Sequence, residues 1–123
     1  MIDGFLELAR RGKGQAPPAW VVYEALCNPF PEYRQWFDLE SNEMAPKILE
    51  HDYPHRVVWS SIWVAHPELL IEFDIEGGSS GSGCNVTWVL LGPTALDSDE
   101  IKPLRYRLNQ LINDRMRNIL FDL

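Results

Sequence analysis

The sequence predicts an α+β domain in which an antiparallel β-sheet wraps around a long amphipathic C-terminal helix. Two patterns carry this prediction. Residues 68–76 alternate apolar with acidic side chains, with Leu70 as the one exception, which is typical of a strand with one buried face and one solvated face. The apolar members are Leu69, Ile71, Phe73 and Ile75. Near the C-terminus, an apolar stripe with helical spacing runs through Leu104, Leu108, Leu111, Ile112, Met116, Ile119 and Leu120.

Size and composition predict one globular domain spanning residues 1–123. Hydrophobic residues make up 46% of the chain and charged residues 24%, which disfavours disorder. The net charge of -7 disfavours binding to nucleic acid or to anionic membrane surfaces. No apolar run approaches the roughly 20 residues that span a bilayer, so no membrane insertion is expected. The chain shows no signal-peptide pattern and no disulfide framework, which predicts a cytoplasmic location.

The N-terminal sequence predicts two elements, of which the first is either a strand or a helix and the second is a helix. Residues 4–11 fit a strand or a short helix, and local propensity leans helical. Gly12 and Gly14 are expected to end either element. A helix over 19–26 follows Pro17 and Pro18, because proline is tolerated in a first helical turn.

The middle of the chain predicts a second short helix followed by the sheet. The helix is expected over 32–39, where it would bury Trp36 and Phe37. Beyond the alternating segment, β-branched and aromatic residues predict three further strands, at 45–52, 56–65 and 84–91.

The start of the C-terminal helix is less sharply marked than its apolar stripe. Asp97 with Glu100 three residues later resembles a capping pair, whereas Pro103 leaves the first helical residue between 97 and 104. A helix of about twenty residues would be roughly 30 Å long. The basic residues on this helix are expected to form a solvated face. They are Lys102, Arg105, Arg107, Arg115 and Arg117.

Three local motifs, in the predicted order of elements, resemble one known superfamily. They are Ala16-Pro17-Pro18 followed by Val22-Tyr23 and Ala25-Leu26, Trp36 after Asn28-Pro29, and Gly83-Cys84-Asn85-Val86-Thr87-Trp88. Over roughly residues 4–120 the chain resembles the START/Bet v 1-like (SRPBCC) superfamily, including its polyketide cyclase/dehydrase and Hsp90-ATPase-activator relatives. The resemblance implies a helix-grip fold, in which two short helices follow a first strand and an antiparallel sheet wraps around the long C-terminal helix. One departure stands out: residues 38–44 are too few for the hairpin usual there, which predicts about five strands.

The resemblance implies that a small hydrophobic or amphipathic molecule, lipid- or polyketide-like, binds between the sheet and the C-terminal helix. Aromatic and apolar residues on the inward faces are the candidates for lining this cavity, and packing as ordinary core is the alternative for the tryptophans. Arg105 or Tyr106 could fix the polar end of a ligand, or Arg105 could lie on the surface. The candidate residues are Trp36, Trp59, Trp63, Ile71, Phe73, Trp88, Arg105, Leu108, Ile112 and Met116.

No residue pattern predicts catalysis, a metal site or a cofactor. His51, His55 and His66 lack the spacing of metal ligands, and Cys27 and Cys84 have no evident histidine partner in sequence. Binding is therefore favoured over catalysis. Two alternatives stay open: a cyclase/dehydratase-type enzyme of the same superfamily, and a co-chaperone-like interaction module. In the latter, the shortened sheet would expose an edge strand that allows a homodimer.

Overall fold

The computed structural model of the chain describes residues 2–30, 35–77 and 83–121. Its centre is an antiparallel five-stranded sheet in the order β1-β5-β4-β3-β2. The strands are β1 (Leu6–Gln15), β2 (Ile48–Asp52), β3 (Arg56–Ser60), β4 (Leu70–Gly77) and β5 (Cys84–Gly92). The α+β prediction and the expected number of strands are confirmed.

One helix follows β1, and a long helix follows β5. Helix α1 spans Ala19–Cys27 and confirms the predicted helix over 19–26. The C-terminal helix is α-helical over Ser98–Leu108 (α2), π-helical over Asn109–Met116, and α-helical again over Arg117–Phe121 (α3). It begins before Pro103. The Asp97 side chain makes no capping hydrogen bond, although the Asp97 carbonyl accepts the backbone N–H groups of Glu100 and Ile101.

The prediction that Gly12 and Gly14 end the first element is wrong, and of the two structures left open for residues 4–11 the strand is the one that forms. Strand β1 runs through both glycines to Gln15, because Gly12 pairs with Thr87 and Gly14 pairs with Asn85 of β5. Tertiary pairing overrides the low strand propensity of glycine here. A Cβ atom at position 12 would lie 2.9 Å from the Thr87 Oγ1, so the close approach of the two strands itself favours glycine.

The predicted helix over 32–39 is not formed in its described part. Residues 35–39 have no regular secondary structure, and residues 32–34 lie outside the described residues. Trp36 and Phe37 are nevertheless buried, as predicted. Their burial comes from ring contacts with the sheet face, which do not require a helical backbone.

Two strands are shorter than predicted. The strand expected over 45–52 begins at Ile48, and the strand expected over 56–65 ends at Ser60. The Oγ of Ser61 accepts the backbone N–H of Trp63 at 3.0 Å, which turns the chain out of the sheet. Trp63 instead forms an isolated bridge with Glu43, and this bridge holds the loop before β2 against the loop after β3.

The inner face of the sheet and the C-terminal helix enclose the hydrophobic core. All members of the predicted helix stripe are buried except Ile119, which is partly buried and packs against the core. Helix α1 closes one side of this core through a tight contact. A Cβ atom at Gly77 would lie 2.8 Å from the Cβ of Ala19, so glycine at the end of β4 permits α1 to approach.

The outer face of β4 is less exposed to solvent than the alternating sequence predicts. Glu72 is only 8% exposed, because the guanidinium of Arg56 on β3 covers it and donates a hydrogen bond from Nε at 2.7 Å. The next outward residue, Asp74, is partly buried without such a hydrogen bond among the described residues. Burial, followed by the charge of Glu72, raises the pKa of Asp74 above its usual value.

Asp74→Asn is therefore expected to stabilise the protein at neutral pH. A raised pKa in the folded state means that ionised Asp74 opposes folding, and this penalty disappears as the pH falls through the folded pKa. Urea unfolding at pH 7 should show the variant as more stable than the wild type, with a smaller gain towards pH 4. Glu76→Gln, at an exposed position on the same strand, serves as the control and should change little. An Asp74→Asn variant that is less stable than the wild type at pH 7 would contradict the expectation.

Candidate functional site

An aromatic cluster fills the space where the sequence predicts the wall of a ligand cavity. The ring of Trp59 lies 6.1 Å from Trp36, 5.7 Å from Phe37 and 4.7 Å from Phe73, measured between ring centroids. Its Nε1 donates a hydrogen bond to the carbonyl of Leu26 at 2.8 Å. These rings therefore pack against one another, which is the core alternative for the tryptophans, although the buried Trp36 Nε1 has no hydrogen-bond partner among the described residues.

The ten candidate residues separate into three groups in the structure. Eight are buried in the hydrophobic core and line none of the three pockets described below. They are Trp36, Trp59, Ile71, Phe73, Trp88, Leu108, Ile112 and Met116. Trp63 is 4% exposed and lines a pocket. Arg105 is exposed and lines none of the three, and the neighbouring Tyr106 is 72% exposed.

The pocket that Trp63 lines lies at the N-terminal end of the C-terminal helix, and we call it the helix-mouth pocket. It is bounded by residues 40–43, by the turn after β3 and by α2, and its volume is about 280 Å³. Its wall combines apolar side chains with carboxylates. The lining residues are Glu40, Asn42, Glu43, Trp63, Ala65, His66, Glu100, Pro103, Leu104 and Arg107.

A buried ion pair between Arg107 and Glu43 forms the floor of the helix-mouth pocket. The Arg107 Nε and Nη2 each lie 2.8 Å from one of the two carboxylate oxygens of Glu43, which is the two-pronged geometry of strong arginine–carboxylate pairs. The side chains are 7% and 1% exposed, respectively. Arg107 also donates to the Asp38 carbonyl and to the Gln110 Oε1. These contacts tie residues 38–43 to the helix.

The acidic groups around Arg107 stabilise the charged form of its guanidinium. Burial alone lowers the pKa of its guanidinium, but the hydrogen bonds and charge of Glu43, together with the charges of Glu40 and Asp38, raise it above its usual value. The expectation that Arg107 lies on a solvated face is therefore wrong. A signal was present in the sequence, because Leu104, Arg107, Leu108 and Leu111 follow the i, i+3, i+4, i+7 spacing of the buried stripe.

A second pocket, of about 380 Å³, opens between α1 and the edge strand β2. It is lined by Tyr23, Cys27, Ile48 and His51, and the Tyr23 hydroxyl lies 3.0 Å from the His51 Nδ1. Burial raises the pKa of Tyr23 and of the Cys27 thiol, so both remain protonated at neutral pH. Cys27 thus shares a pocket with His51, which the sequence did not show, but the Tyr23 hydroxyl lies against both side chains, and no lysine or arginine among the described residues lines this pocket to favour a thiolate.

Within residues 2–30, 35–77 and 83–121, no three histidine, cysteine or acidic side chains are close enough together to hold a metal ion. In the same residues, no helix is long and apolar enough to cross a bilayer.

Comparison with known proteins identifies the fold. No protein-family profile matches the chain, and no curated protein matches it. Among solved structures, the chain is similar to CalU16 from Micromonospora echinospora, with 20% identity and a TM-score of 0.51 over 69% of this chain and 58% of that protein. The chain thus aligns with little more than half of CalU16. An AHSA1-like protein from Rhizobium etli aligns at 17% identity and a TM-score of 0.48, over 88% of this chain and 80% of that one.

The likeness to CalU16 agrees with the observed architecture of an antiparallel sheet closed by a long C-terminal helix. It also agrees with the superfamily motifs in the sequence. The chain has a helix-grip fold with a sheet of five strands.

Proposed function

We propose that this protein binds a small amphipathic molecule in the helix-mouth pocket. The observation that carries the proposal is the division of this pocket into an apolar wall and an acidic rim. Trp63 and Leu104 are 4% and 5% exposed and supply the apolar wall, with Pro103 beside them. A ligand gains roughly 25 cal/mol for each Å² of apolar surface buried there, before the ordering costs of binding.

The charges around the pocket select the polar end of the ligand. Arg107 is occupied by Glu43 and by the Asp38 carbonyl, so it has little remaining capacity to bind an anion. The exposed carboxylates of Glu40 and Glu100 line the same pocket; the Glu40 Oε1 lies 3.5 Å from the Arg107 Nε, and Glu100 has no ion pair among the described residues. A polar end that donates hydrogen bonds, such as an amine or a hydroxyl group, therefore fits better than a carboxylate.

The volume restricts the size of the ligand. Pockets for drug-sized ligands span roughly 300–1,000 Å³, and the helix-mouth pocket, at about 280 Å³, lies at the small end of that range. The large apolar side chains under the sheet are packed against one another. The lipid- or polyketide-like ligand of the sequence prediction is accordingly narrowed here to a short amphiphile.

Hexylamine, hexanol and hexanoate test this proposal because they share one apolar chain and differ only in the polar end. In ¹H–¹⁵N NMR titrations, we expect saturable shifts of the Trp63 indole and Leu104 amide signals, with hexylamine binding most tightly and hexanoate most weakly. Tightest binding by hexanoate would contradict the charge argument. Absence of saturable shifts for all three molecules would contradict the function.

Ala65→Trp is expected to weaken hexylamine binding at least tenfold. Ala65 is exposed at the pocket wall, so a bulky ring there occupies the pocket without disturbing the core. Val64→Trp is the matched control, because Val64 is 58% exposed in the same turn and does not line the pocket. Equal loss of binding in both variants would place the ligand elsewhere.

Binding is favoured over catalysis for a specific reason. A cyclase or dehydratase needs an acid–base group that can exchange a proton with its substrate. Glu43 is the most deeply buried carboxylate of the pocket, and Arg107 holds both of its oxygens, so it is not free for this task. The other acid–base groups of the lining lie nearer the solvent: Glu40 and Glu100 are exposed, and His66 is half-buried with its Nδ1 3.8 Å from the Glu68 Oε1.

Self-association remains a prediction from the shortened sheet. The two edge strands are β1 and β2, and β2 carries Leu49 at 49% exposure. A homodimer through either edge and a cytoplasmic location are expectations from the sequence that accompany the binding proposal.

A further inference from the structure

A third pocket lies between the edge strand β1 and the π-helical segment of the C-terminal helix. Its volume is about 150 Å³, and we call it the basic pocket. It is lined by Arg11, Lys13, Asn109, Asn113 and Asp114. None of these residues belongs to the helix-mouth pocket. π-Helical turns are rare and frequently occur at functional sites, which draws attention to this part of the helix.

The hydrogen bonds at the base of this pocket fix the orientation of its two amide side chains. An indole N–H can only donate, and the Trp88 Nε1 lies 3.0 Å from the Asn109 Oδ1, so that atom is the acceptor. The Asn113 Nδ2 donates to the same oxygen at 3.0 Å. The Asn113 Oδ1 must then point away from Asn109, and it is buried without a donor among the described residues.

This unpartnered acceptor is energetically costly. Asn113 is only 4% exposed, and a buried polar group without a hydrogen bond costs about 1–3 kcal/mol. Gln15, on the same strand as Lys13, also has an unpaired acceptor. Its Nε2 donates to the Ile112 carbonyl at 3.5 Å, whereas its Oε1 has no donor among the described residues. The contact between β1 and the π-helical segment therefore contains acceptors in excess of donors.

Two cations sit over the same contact. Arg11 and Lys13 lie directly opposite Trp88 and Val86 of β5, so their side chains leave the sheet on its inner face, towards the helix. Among the described residues, no carboxylate lies within 4 Å of either cation, although acidic residues outnumber basic ones by 18 to 11 in the whole chain. Inward charges also protect an edge strand from pairing, but that role does not require the buried amides.

We propose that the basic pocket binds a small oxyanion that carries a hydroxyl group beside its anionic group. The anionic oxygens lie between Arg11 and Lys13 and accept from the Asn109 Nδ2, which has no hydrogen bond within the described residues. The hydroxyl group donates towards Asn113 or Asp114. The volume admits a molecule of few atoms, well below the roughly 300–1,000 Å³ of drug-sized ligand pockets.

Glycolate and acetate test this proposal, because glycolate differs from acetate by one hydroxyl group. In ¹H–¹⁵N NMR titrations at constant ionic strength, glycolate is expected to shift the side-chain amide signals of Asn109 and Asn113 saturably and to bind several-fold more tightly than acetate. Equal binding of the two would overturn the assignment of the hydroxyl group. Absence of a saturable shift for both would overturn the site, while leaving the helix-mouth pocket untouched.

Charge-matched variants locate the anion. Arg11→Gln with Lys13→Gln should weaken glycolate binding roughly tenfold, since two neighbouring cations are removed. Arg10→Gln with Lys47→Gln is the control: it removes the same charge, but Arg10 is paired with Glu7 and neither residue lines the pocket. All four positions are exposed, so folding is retained. Equal weakening in both double variants would mean that glycolate responds only to net charge, which would overturn the site.

Discussion

Arg107→Ala is expected to destabilise the protein by about 3–5 kcal/mol, the usual cost of breaking a buried ion pair by removing one partner. The loss exceeds the value of the contacts themselves, because the Glu43 side chain, 1% exposed, stays buried with its partner gone. The variant also releases the Asp38 carbonyl, so residues 38–43 are held to the helix less tightly, with the 3.4 Å ion pair between Arg115 and Asp38 still in place. Urea unfolding followed by circular dichroism measures the effect.

Two further variants separate the ion pair from side-chain size. Arg105→Ala truncates an exposed arginine on the same helix and should change stability by less than about 0.5 kcal/mol. The double variant Arg107→Met with Glu43→Leu removes both charges and should recover most of the stability, since apolar replacements of buried pairs are often neutral. A double variant as unstable as Arg107→Ala would show that the hydrogen bonds to Asp38 and Gln110 dominate instead.

The elements with a strong local pattern were predictable. The alternation in β4 and the stripe through Leu104 and Leu120 each require one buried face, and no alternative structure accommodates them. The missing hairpin was also predictable, because residues 38–44 are too few to form two strands. Each of these conclusions depends on the number of residues in a segment or on the periodicity within it. Residues far away in the sequence do not affect either property.

The errors arise where distant residues decide the structure. Glycines in β1 form a strand because β5 supplies hydrogen-bond partners, and Glu72 is buried because Arg56 on the neighbouring strand covers it. The turn at Ser61 depends on one side-chain hydrogen bond, which composition does not reveal.

The candidate site was less predictable than the fold for the same reason. The helix-mouth pocket combines residues near 40, 65 and 105, which only the closure of the helix over the sheet brings together. Of the residues predicted from the sequence, Trp63 lines this pocket and Arg105 does not, whereas Arg107, which was not among the candidates, does. The stripe spacing distinguishes these two arginines, whereas their charge does not.

The helix-mouth and basic pockets lie at the edges of the helix–sheet contact, and the centre of that contact is occupied by rings. Trp59 is fully buried and touches three other aromatic rings, so its side chain fills volume that a ligand would otherwise need. The aromatic residues that suggested a cavity therefore fill the centre of the helix–sheet contact. For this reason, ligand sites are expected at the margins of that contact.

Trp59→Ala is expected to cost about 3–5 kcal/mol, the range for truncating a buried aromatic side chain. It removes packing against Trp36, Phe37 and Phe73 and leaves the Leu26 carbonyl without its indole donor. Trp20→Ala is the matched control: Trp20 is 49% exposed, and its loss should change stability by less than about 0.5 kcal/mol. Thermal and urea unfolding of both variants measure the difference.

The same variant tests whether the interior is filled in the wild type. The space left by Trp59 is apolar and should accept indole, which would raise the melting temperature of the variant through preferential binding to its folded state. Wild-type protein should show no such rise, since its own indole occupies the space. Trp59→Leu offers a smaller cavity should the alanine variant fail to fold. Equal stabilisation of the wild type by indole, with NMR shifts at Trp36 and Phe73, would mean that the core admits ligands.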